Sequence, residues 1–190
     1  MSFWDWLAKL PQGSASFIGT LTGSSLGLFA LLIGALFNAY LNRRRDDRLR
    51  DQDRSTVASI LYAESIGMRR TLIENADHLE QHPPSSSDGF VVPQPSAKLF
   101  DSAIANIGLL GPGAIRKVLD AYVLNESYLE QLILAGGRLH GEMPEDRKLV
   151  YMPATSAPFV AKLNRTRAGV VDEAIKALDH QARKSGSVDA

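Results

Sequence analysis

The sequence contains no cysteine, and this absence removes several kinds of chemistry at once. Disulfide bonds, thiol nucleophiles and zinc sites built on cysteine ligands are all excluded. The chain also lacks a net charge, because its 21 Lys and Arg residues balance its 21 Asp and Glu residues. Nucleic-acid binding depends on neutralising phosphates with an excess of basic side chains. We therefore expect no specific nucleic-acid partner.

Motifs for catalysis and cofactor binding are missing as well. The glycines of 108–113 lack the Gly-Lys-Ser/Thr ending of a phosphate-binding loop, and there is no Gly-x-Ser-x-Gly nucleophile elbow. His78 and His82 have the i, i+4 spacing of zinc ligands, but Pro83 follows them and no His-Glu-x-x-His pattern occurs. We interpret both histidines as solvated residues at a helix end. The sequence predicts no metal and no cofactor.

Four polar side chains at helical positions are candidates for site residues. Glu64 lies between Leu61 and Met68 on the predicted core side of its helix. We interpret it as solvated at the edge of the core or as paired, with Arg69 or a distant arginine, rather than catalytic. Tyr62, Tyr122 and Tyr128 are interpreted as residues at the edge of the core. No set of residues in the sequence assembles an active site, so the sequence predicts that the protein is not an enzyme.

A long uncharged segment is the most informative feature that is present. Residues 17–41 contain no Asp, Glu, Lys or Arg. As a helix this segment is about 37 Å long, and the hydrocarbon core of a bilayer is about 30 Å thick. The segment therefore predicts a transmembrane helix with some tilt. A cleaved signal peptide is the alternative, but its apolar region would be shorter, at about 7–15 residues.

Basic residues flank this segment unequally. Lys9 precedes it, whereas six arginines follow it: Arg43, Arg44, Arg45, Arg48, Arg50 and Arg54. Lys and Arg near the ends of a span favour the cytoplasmic side. We predict a single-pass protein of the cell inner (cytoplasmic) membrane, with the N-terminus outside and the C-terminal part in the cytoplasm. Arg43, Arg44 and Arg45 also lie at the membrane interface, where anionic lipid headgroups bind arginine.

Both tryptophans of the chain, Trp4 and Trp6, precede the predicted span. The Trp ring favours the membrane–water interface because it is largely apolar but carries a polar N–H group. We therefore interpret residues 1–16 as an N-terminal interfacial segment, with a short helix that ends at Pro11-Gln12-Gly13. A partner-binding or membrane-perturbing segment is the alternative.

Small residues line one face of the predicted span. Gly19, Gly23 and Gly27 are four residues apart, and Gly34 and Asn38 continue the same helical face. Glycines at this spacing let two spanning helices approach closely, and an Asn side chain can form a hydrogen bond across the contact. This face predicts a homo-oligomer or an association with another membrane protein, with the lipid bilayer as the remaining partner.

Helical periodicity continues beyond the span, and no alternation typical of strands extends over any length. We predict an all-α protein in which one N-terminal transmembrane helix continues into a small cytoplasmic antiparallel helical bundle. Residues 138–155 are interpreted as a loop inside this bundle, and Phe90-Val91-Val92 as a short extended piece. The predicted parts are a transmembrane helix at 17–41, a long juxtamembrane helix at 42–81, a Pro/Ser-rich loop at 82–95, the bundle at 96–184 and a disordered tail at 185–190.

The segment from Leu99 to Tyr122, LFDSAIANIGLLGPGAIRKVLDAY, resembles a segment of uncharacterised bacterial and phage single-pass membrane-anchored helical proteins. In those proteins a Gly-Leu-Leu turn joins two helices, and the second helix carries an aromatic residue. The resemblance covers this segment and the position of the N-terminal span. It implies a bacterial or phage origin and a small helical cytoplasmic domain, and it supplies no catalytic residues.

These features favour one function and leave two alternatives open. The leading hypothesis is a membrane-anchored interaction or scaffold protein that self-associates through the glycine face and binds a protein partner or signal with its cytoplasmic domain. The first alternative is a membrane-permeabilising effector of phage lysis or antiviral defence, in which associated spans breach the bilayer. The second is a membrane-bound enzyme, which requires a pocket of paired polar groups.

Overall fold

The computed structural model describes residues 11–85, 88–142 and 148–186. It is mostly helical, with a small sheet. The elements, in chain order, are α1 (Gln12–Gln81), β1 (Gly89–Pro93), α2 (Lys98–Ala103), a 3₁₀ helix (Ile104–Leu109), α3 (Pro112–Glu126), α4 (Tyr128–Leu134), β2 (Arg138–Glu142), β3 (Lys148–Pro153), a 3₁₀ turn (Ala154–Ser156) and α5 (Ala157–Gly186). The chain divides into two compact units between Leu49 and Arg50.

The first unit consists of the N-terminal part of α1. Pro11 precedes this helix, and no proline interrupts it before Pro83, so its hydrogen-bond ladder is continuous. Its large apolar side chains are exposed, with relative exposures from 45% at Leu41 to 74% at Leu31. The hydroxyls of Thr20 and Thr22 donate to carbonyl oxygens one turn earlier, at 3.0 and 2.8 Å, so the helix satisfies them internally. This helix is long and apolar enough to cross a membrane.

The second unit has a hydrophobic core built mainly from helices, with a few residues from the strands. The periodicity of the juxtamembrane helix predicts an apolar stripe of eight side chains, of which Ile60 and Ile73 are half-buried and Ile66 is 39% exposed. The other five are buried, which confirms most of the stripe: Val57, Leu61, Met68, Leu72 and Leu79. They join buried residues of α3, α4 and α5 in one cluster. A new helix begins at Gly111-Pro112-Gly113, because Gly111 is the N-cap of α3 and Pro112 its first residue.

Ion pairs give the direction of the helices in this unit. Arg69 of α1 pairs with Asp172 of α5, and Arg165, nearer the start of α5, pairs with Asp77 and Glu80 near the end of α1. The two helix segments therefore run antiparallel. All these side chains are about 40–50% exposed, so solvent screens the pairs and their contribution to stability is small. Burial of the apolar stripe is the larger contribution.

The prediction of an all-α fold needs one correction, because three short strands form an antiparallel sheet in the order β1-β3-β2. The strands lie in segments 82–95 and 138–155, where the sequence predicts loops apart from the extended piece at 90–92. Val150 of the central strand pairs with Val92 on one side and Leu139 on the other. Each strand has five or six residues, too few to show a strand period. The sheet therefore depends on tertiary packing rather than on local pattern.

Two glycines, Gly136 and Gly137, follow the end of α4. Gly136 has a φ of 93°, a conformation that side chains with a Cβ rarely adopt. The N–H of Gly137 donates to the carbonyl oxygen of Leu132 at 2.9 Å, which closes the last turn. A Cβ at Gly137 would lie 2.7 Å from that oxygen and 2.5 Å from the sulfur of Met152. Glycine at 137 is thus what lets β3 pack against the end of α4.

Candidate functional site

The residues of the predicted transmembrane contact face all lie in α1. A Cβ built at Gly19, Gly23, Gly27 or Gly34 meets no atom within 4 Å, and Asn38 is exposed. The face is therefore open to whatever surrounds this part of the helix. Arg43, Arg44 and Arg45 follow it in the same helix and are exposed as well. Trp4 and Trp6 lie outside the described residues.

Glu64 lies at the centre of one of two buried polar clusters in the second unit. Its side chain is 9% exposed. One carboxyl oxygen accepts the backbone N–H of Leu99 at 2.6 Å, and the other accepts the Tyr122 hydroxyl. The Tyr122 ring stacks on Phe100 with ring centroids 3.9 Å apart. Glu64 thus fixes the first turn of α2, whose N–H groups have no partner within the helix, against α1 and α3.

This arrangement differs from the partner expected for Glu64. The prediction of an ion pair with Arg69 is wrong, because the Arg69 guanidinium binds Asp172 instead. Both oxygens of Glu64 are engaged by a phenol and a peptide N–H that lie 58 and 35 residues away in sequence. A carboxyl held in this way positions a helix, and it has no free oxygen directed at a substrate.

A second buried polar cluster surrounds Arg167 of α5, which is 3% exposed. Its guanidinium lies over the Tyr128 ring, 4.9 Å from the centroid, and one nitrogen donates to Gln131 at 2.9 Å. The Tyr128 hydroxyl donates to Asn164 at 2.6 Å. No carboxylate in the described parts of the chain forms an ion pair with Arg167, and burial lowers the pKa of this guanidinium from its ordinary value.

Two donors in this cluster have no acceptor among the described residues, namely Nε of Arg167 and Nδ2 of Asn164. Unpaired buried donors are unusual and often mark a bound group. The void beside Arg167, which Met68 and Leu72 also line, has no room for a water molecule. The cluster therefore holds no ligand in this conformation, and its cation–π and neutral hydrogen-bond contacts are what stabilise the buried charge.

Asn164 and Arg167 were not among the residues that the sequence pointed to. They lie on the same face of α5 as Val160, Ala168 and Val171, all of which are buried. Two polar residues three positions apart within an apolar stripe are the signal that could have identified them. The apolar periodicity of that helix, taken alone, identifies only its apolar members.

Both clusters shift the titration of a tyrosine. Burial raises the pKa of the Tyr122 phenol above its ordinary value, and the hydrogen bond to Glu64 and the charge of that carboxyl raise it further. Burial likewise raises the pKa of Tyr128, and the hydrogen bond to Asn164 and the charge of Arg167 oppose this only in part. Both phenols are therefore held neutral as hydrogen-bond donors.

These shifts predict a loss of stability in alkali. Because the folded pKa is raised, the unfolded chain releases the two phenol protons first as pH rises. The stability contributed by the two neutral phenols is fully present below a pH of about 10, the ordinary tyrosine pKa, and decreases above that pH. We expect the denaturation midpoint to drop above that pH, together with the appearance of phenolate absorbance. A Tyr122→Phe, Tyr128→Phe double variant should show a shallower drop, and an equally steep drop would contradict this assignment.

Among the described residues, no three or more His, Asp or Glu side chains lie close enough together to hold a metal ion. His78 and His82 do lie together, with ring centroids 5.2 Å apart. Two imidazoles supply half of the ligands of a tetrahedral zinc site.

Comparison with protein-family models, with curated proteins and with solved structures gives no match for this chain. The class of protein therefore rests on architecture alone. The chain is a mostly helical protein with one helix long and apolar enough to cross a membrane and a second compact unit in which helices pack with a three-stranded sheet.

Proposed function

We propose that this chain is a single-pass membrane-anchored interaction protein. Residues 17–41 of α1 cross the bilayer, and the second unit is a cytoplasmic domain that binds a protein partner or signal. The observation that carries the proposal is the exposure of the large apolar side chains in this stretch of α1, from Phe17 at 68% to Leu41 at 45%, with only Ile18 of intermediate exposure. Such a surface is unfavourable in water and favourable in lipid.

The polar groups of the stretch support the same environment. The Thr20 and Thr22 hydroxyls are satisfied by carbonyl oxygens of their own helix, as hydrocarbon requires. Charged side chains begin only at Arg43. The arginines on this side favour a cytoplasmic second unit and an external N-terminus in the inner membrane.

Self-association through the glycine face is the second part of the proposal. Gly19, Gly23, Gly27 and Gly34 are open, since a Cβ built at each meets no side chain of the described residues within 4 Å. In lipid, helices associate through close packing and interhelical hydrogen bonds, both of which small residues and Asn38 allow. A second copy of the helix fits this face, and a different spanning helix is the alternative occupant.

Cysteine crosslinking in native membranes tests this contact. The chain has no cysteine of its own, so single substitutions report one position at a time. Gly23→Cys and Gly27→Cys are expected to give a disulfide-linked dimer on mild oxidation, because both positions face the partner helix. The dimer is measured as the fraction of doubled mass on a non-reducing gel.

Ser25→Cys is the matched control for this experiment. It places a thiol of similar depth about 200° round the helix from Gly23, and we expect little dimer from it. Equal dimer at all three positions would indicate random collision and contradict the glycine face. Crosslinks to another protein only would assign the face to a different membrane protein. Loss of membrane potential on expression, read with a potential-sensitive dye, would favour a permeabilising effector instead.

A further inference from the structure

A cavity of about 320 Å³ lies between the C-terminal end of α1 and strand β1. Small-molecule sites occupy about 300–1,000 Å³ and are mostly apolar with a few polar groups, so this cavity falls at the small end of that range. One wall is apolar and is formed by Leu79, Phe90 and Val92, among others. The cavity lies wholly within the second unit, so ligand binding there does not depend on membrane insertion of α1.

A second wall, at the end of α1, carries three nitrogen-bearing side chains. His78 and His82 stack on each other, with their rings inclined by 28°. Asn75 also lines the cavity, and its Nδ2 group is buried with no acceptor in the parts of the chain that the structure describes. Among the described residues, no Asp, Glu, Lys or Arg lines the cavity. The wall thus offers hydrogen-bond donors without a carboxylate to occupy them.

These two walls define a ligand class. An unpaired buried N–H is costly, and an acceptor brought by a ligand removes that cost. A carboxylate is the strongest acceptor for an amide and two imidazole N–H groups. A compact apolar body fits the space against Phe90 and Val92, and a flat ring fits beside stacked imidazoles.

We propose that this cavity binds a compact aromatic carboxylate, with the carboxylate at Asn75, His78 and His82 and the ring against Phe90 and Val92. Such a ligand joins the last turns of α1 to the sheet. A metal ion fits less well, because two imidazoles and an amide do not complete a zinc site in the described residues.

The test uses the full-length chain in lipid nanodiscs, labelled with ¹³C-histidine, and 1-naphthoate as the probe. The chain has four histidines, so His140 and His180 serve as internal controls. We expect the Cε1–Hε1 signals of His78 and His82 to shift saturably while those of His140 and His180 stay in place. The neutral analogue 1-naphthalenemethanol should bind about tenfold more weakly, because it lacks the charged acceptor.

Asn75→Leu is the variant that tests the donor, since it keeps the branched side-chain skeleton and removes the amide. It should weaken naphthoate binding about tenfold, with unchanged His140 and His180 signals as the check that the domain remains folded. Equal affinity of the variant, parallel shifts of all four histidines, or no saturable shift in the unmodified chain would each overturn the proposal. A response of His78 and His82 to Zn²⁺ but not to naphthoate would overturn it in favour of a metal site.

Discussion

A chain with arginine in place of both Leu31 and Leu32 is expected to leave the membrane fraction. Both leucines lie near the middle of residues 17–41 and are exposed at 74% and 54%. An arginine at the centre of a spanning helix raises the free energy of membrane insertion by about 2.5–3.5 kcal/mol. Loss of the leucine that it replaces adds a further fraction of a kcal/mol. The pair should cost about 6 kcal/mol, which a span interrupted by four glycines cannot offset.

Membrane fractionation followed by alkaline carbonate extraction measures this effect. The Leu49→Arg variant is the matched control, because Leu49 is also exposed, at 46%, but lies beyond the first arginines. It should remain in the membrane pellet as the unmodified chain does. A double variant that still resists extraction would show that residues 17–41 do not anchor the protein by crossing the bilayer, and the proposed function would fail with it.

The helical part of the fold could be predicted because its signals are local. Val57, Leu61, Met68 and Leu72 repeat near the helical period, and the same residues are buried in the structure. Gly111 and Pro112 likewise begin α3 through conformational preferences that depend only on themselves. The secondary structure of such a segment depends on residues within one or two helical turns. It can therefore be predicted without knowing what the segment packs against.

The sheet could not be predicted for the opposite reason. In β3 the run 149–152 is apolar throughout, although Val150 and Met152 are buried and Tyr151 is 41% exposed. Burial therefore alternates along the strand, but the sequence does not show it because all four residues are apolar. Pairing with Val92 and Leu139 across long separations is what makes these residues strands, and such pairings leave no local trace.

The buried polar clusters could be predicted in part, unlike the helices, which could be predicted, and the sheet, which could not. The helical period correctly placed Glu64 on the core side of α1, because position on a face is a local property. Its partners were beyond prediction, since Leu99 and Tyr122 reach it only after α2 and α3 have packed. The cavity beside His78 and His82 was also missed for this reason, because its apolar wall comes from β1.

Replacement of Glu64 by leucine is the second substitution from which a large effect is expected. Leucine fits the space approximately but accepts no hydrogen bond, so the Leu99 N–H and the Tyr122 hydroxyl both lose their acceptor. Each unpaired buried donor costs about 1–3 kcal/mol, so the loss of both should lower the free energy of unfolding by about 2–6 kcal/mol. Denaturant unfolding of the full chain in nanodiscs, followed by the near-ultraviolet circular dichroism of tyrosine, measures this change.

Two further variants separate the role of the carboxyl from that of its position. In Glu64→Gln the amide oxygen can still accept the Leu99 N–H, and the amide NH₂ can donate a hydrogen bond to the Tyr122 oxygen. The loss of stability should therefore be clearly smaller than that caused by leucine. Glu74→Leu changes an exposed glutamate of the same helix, and surface changes of this kind shift stability by about 0.5 kcal/mol or less. If Glu64→Leu were no more costly than Glu74→Leu, the contact with α2 would not stabilise the domain. Glu64 would then be a buried carboxyl without a structural role, which is the condition under which the enzyme alternative regains support.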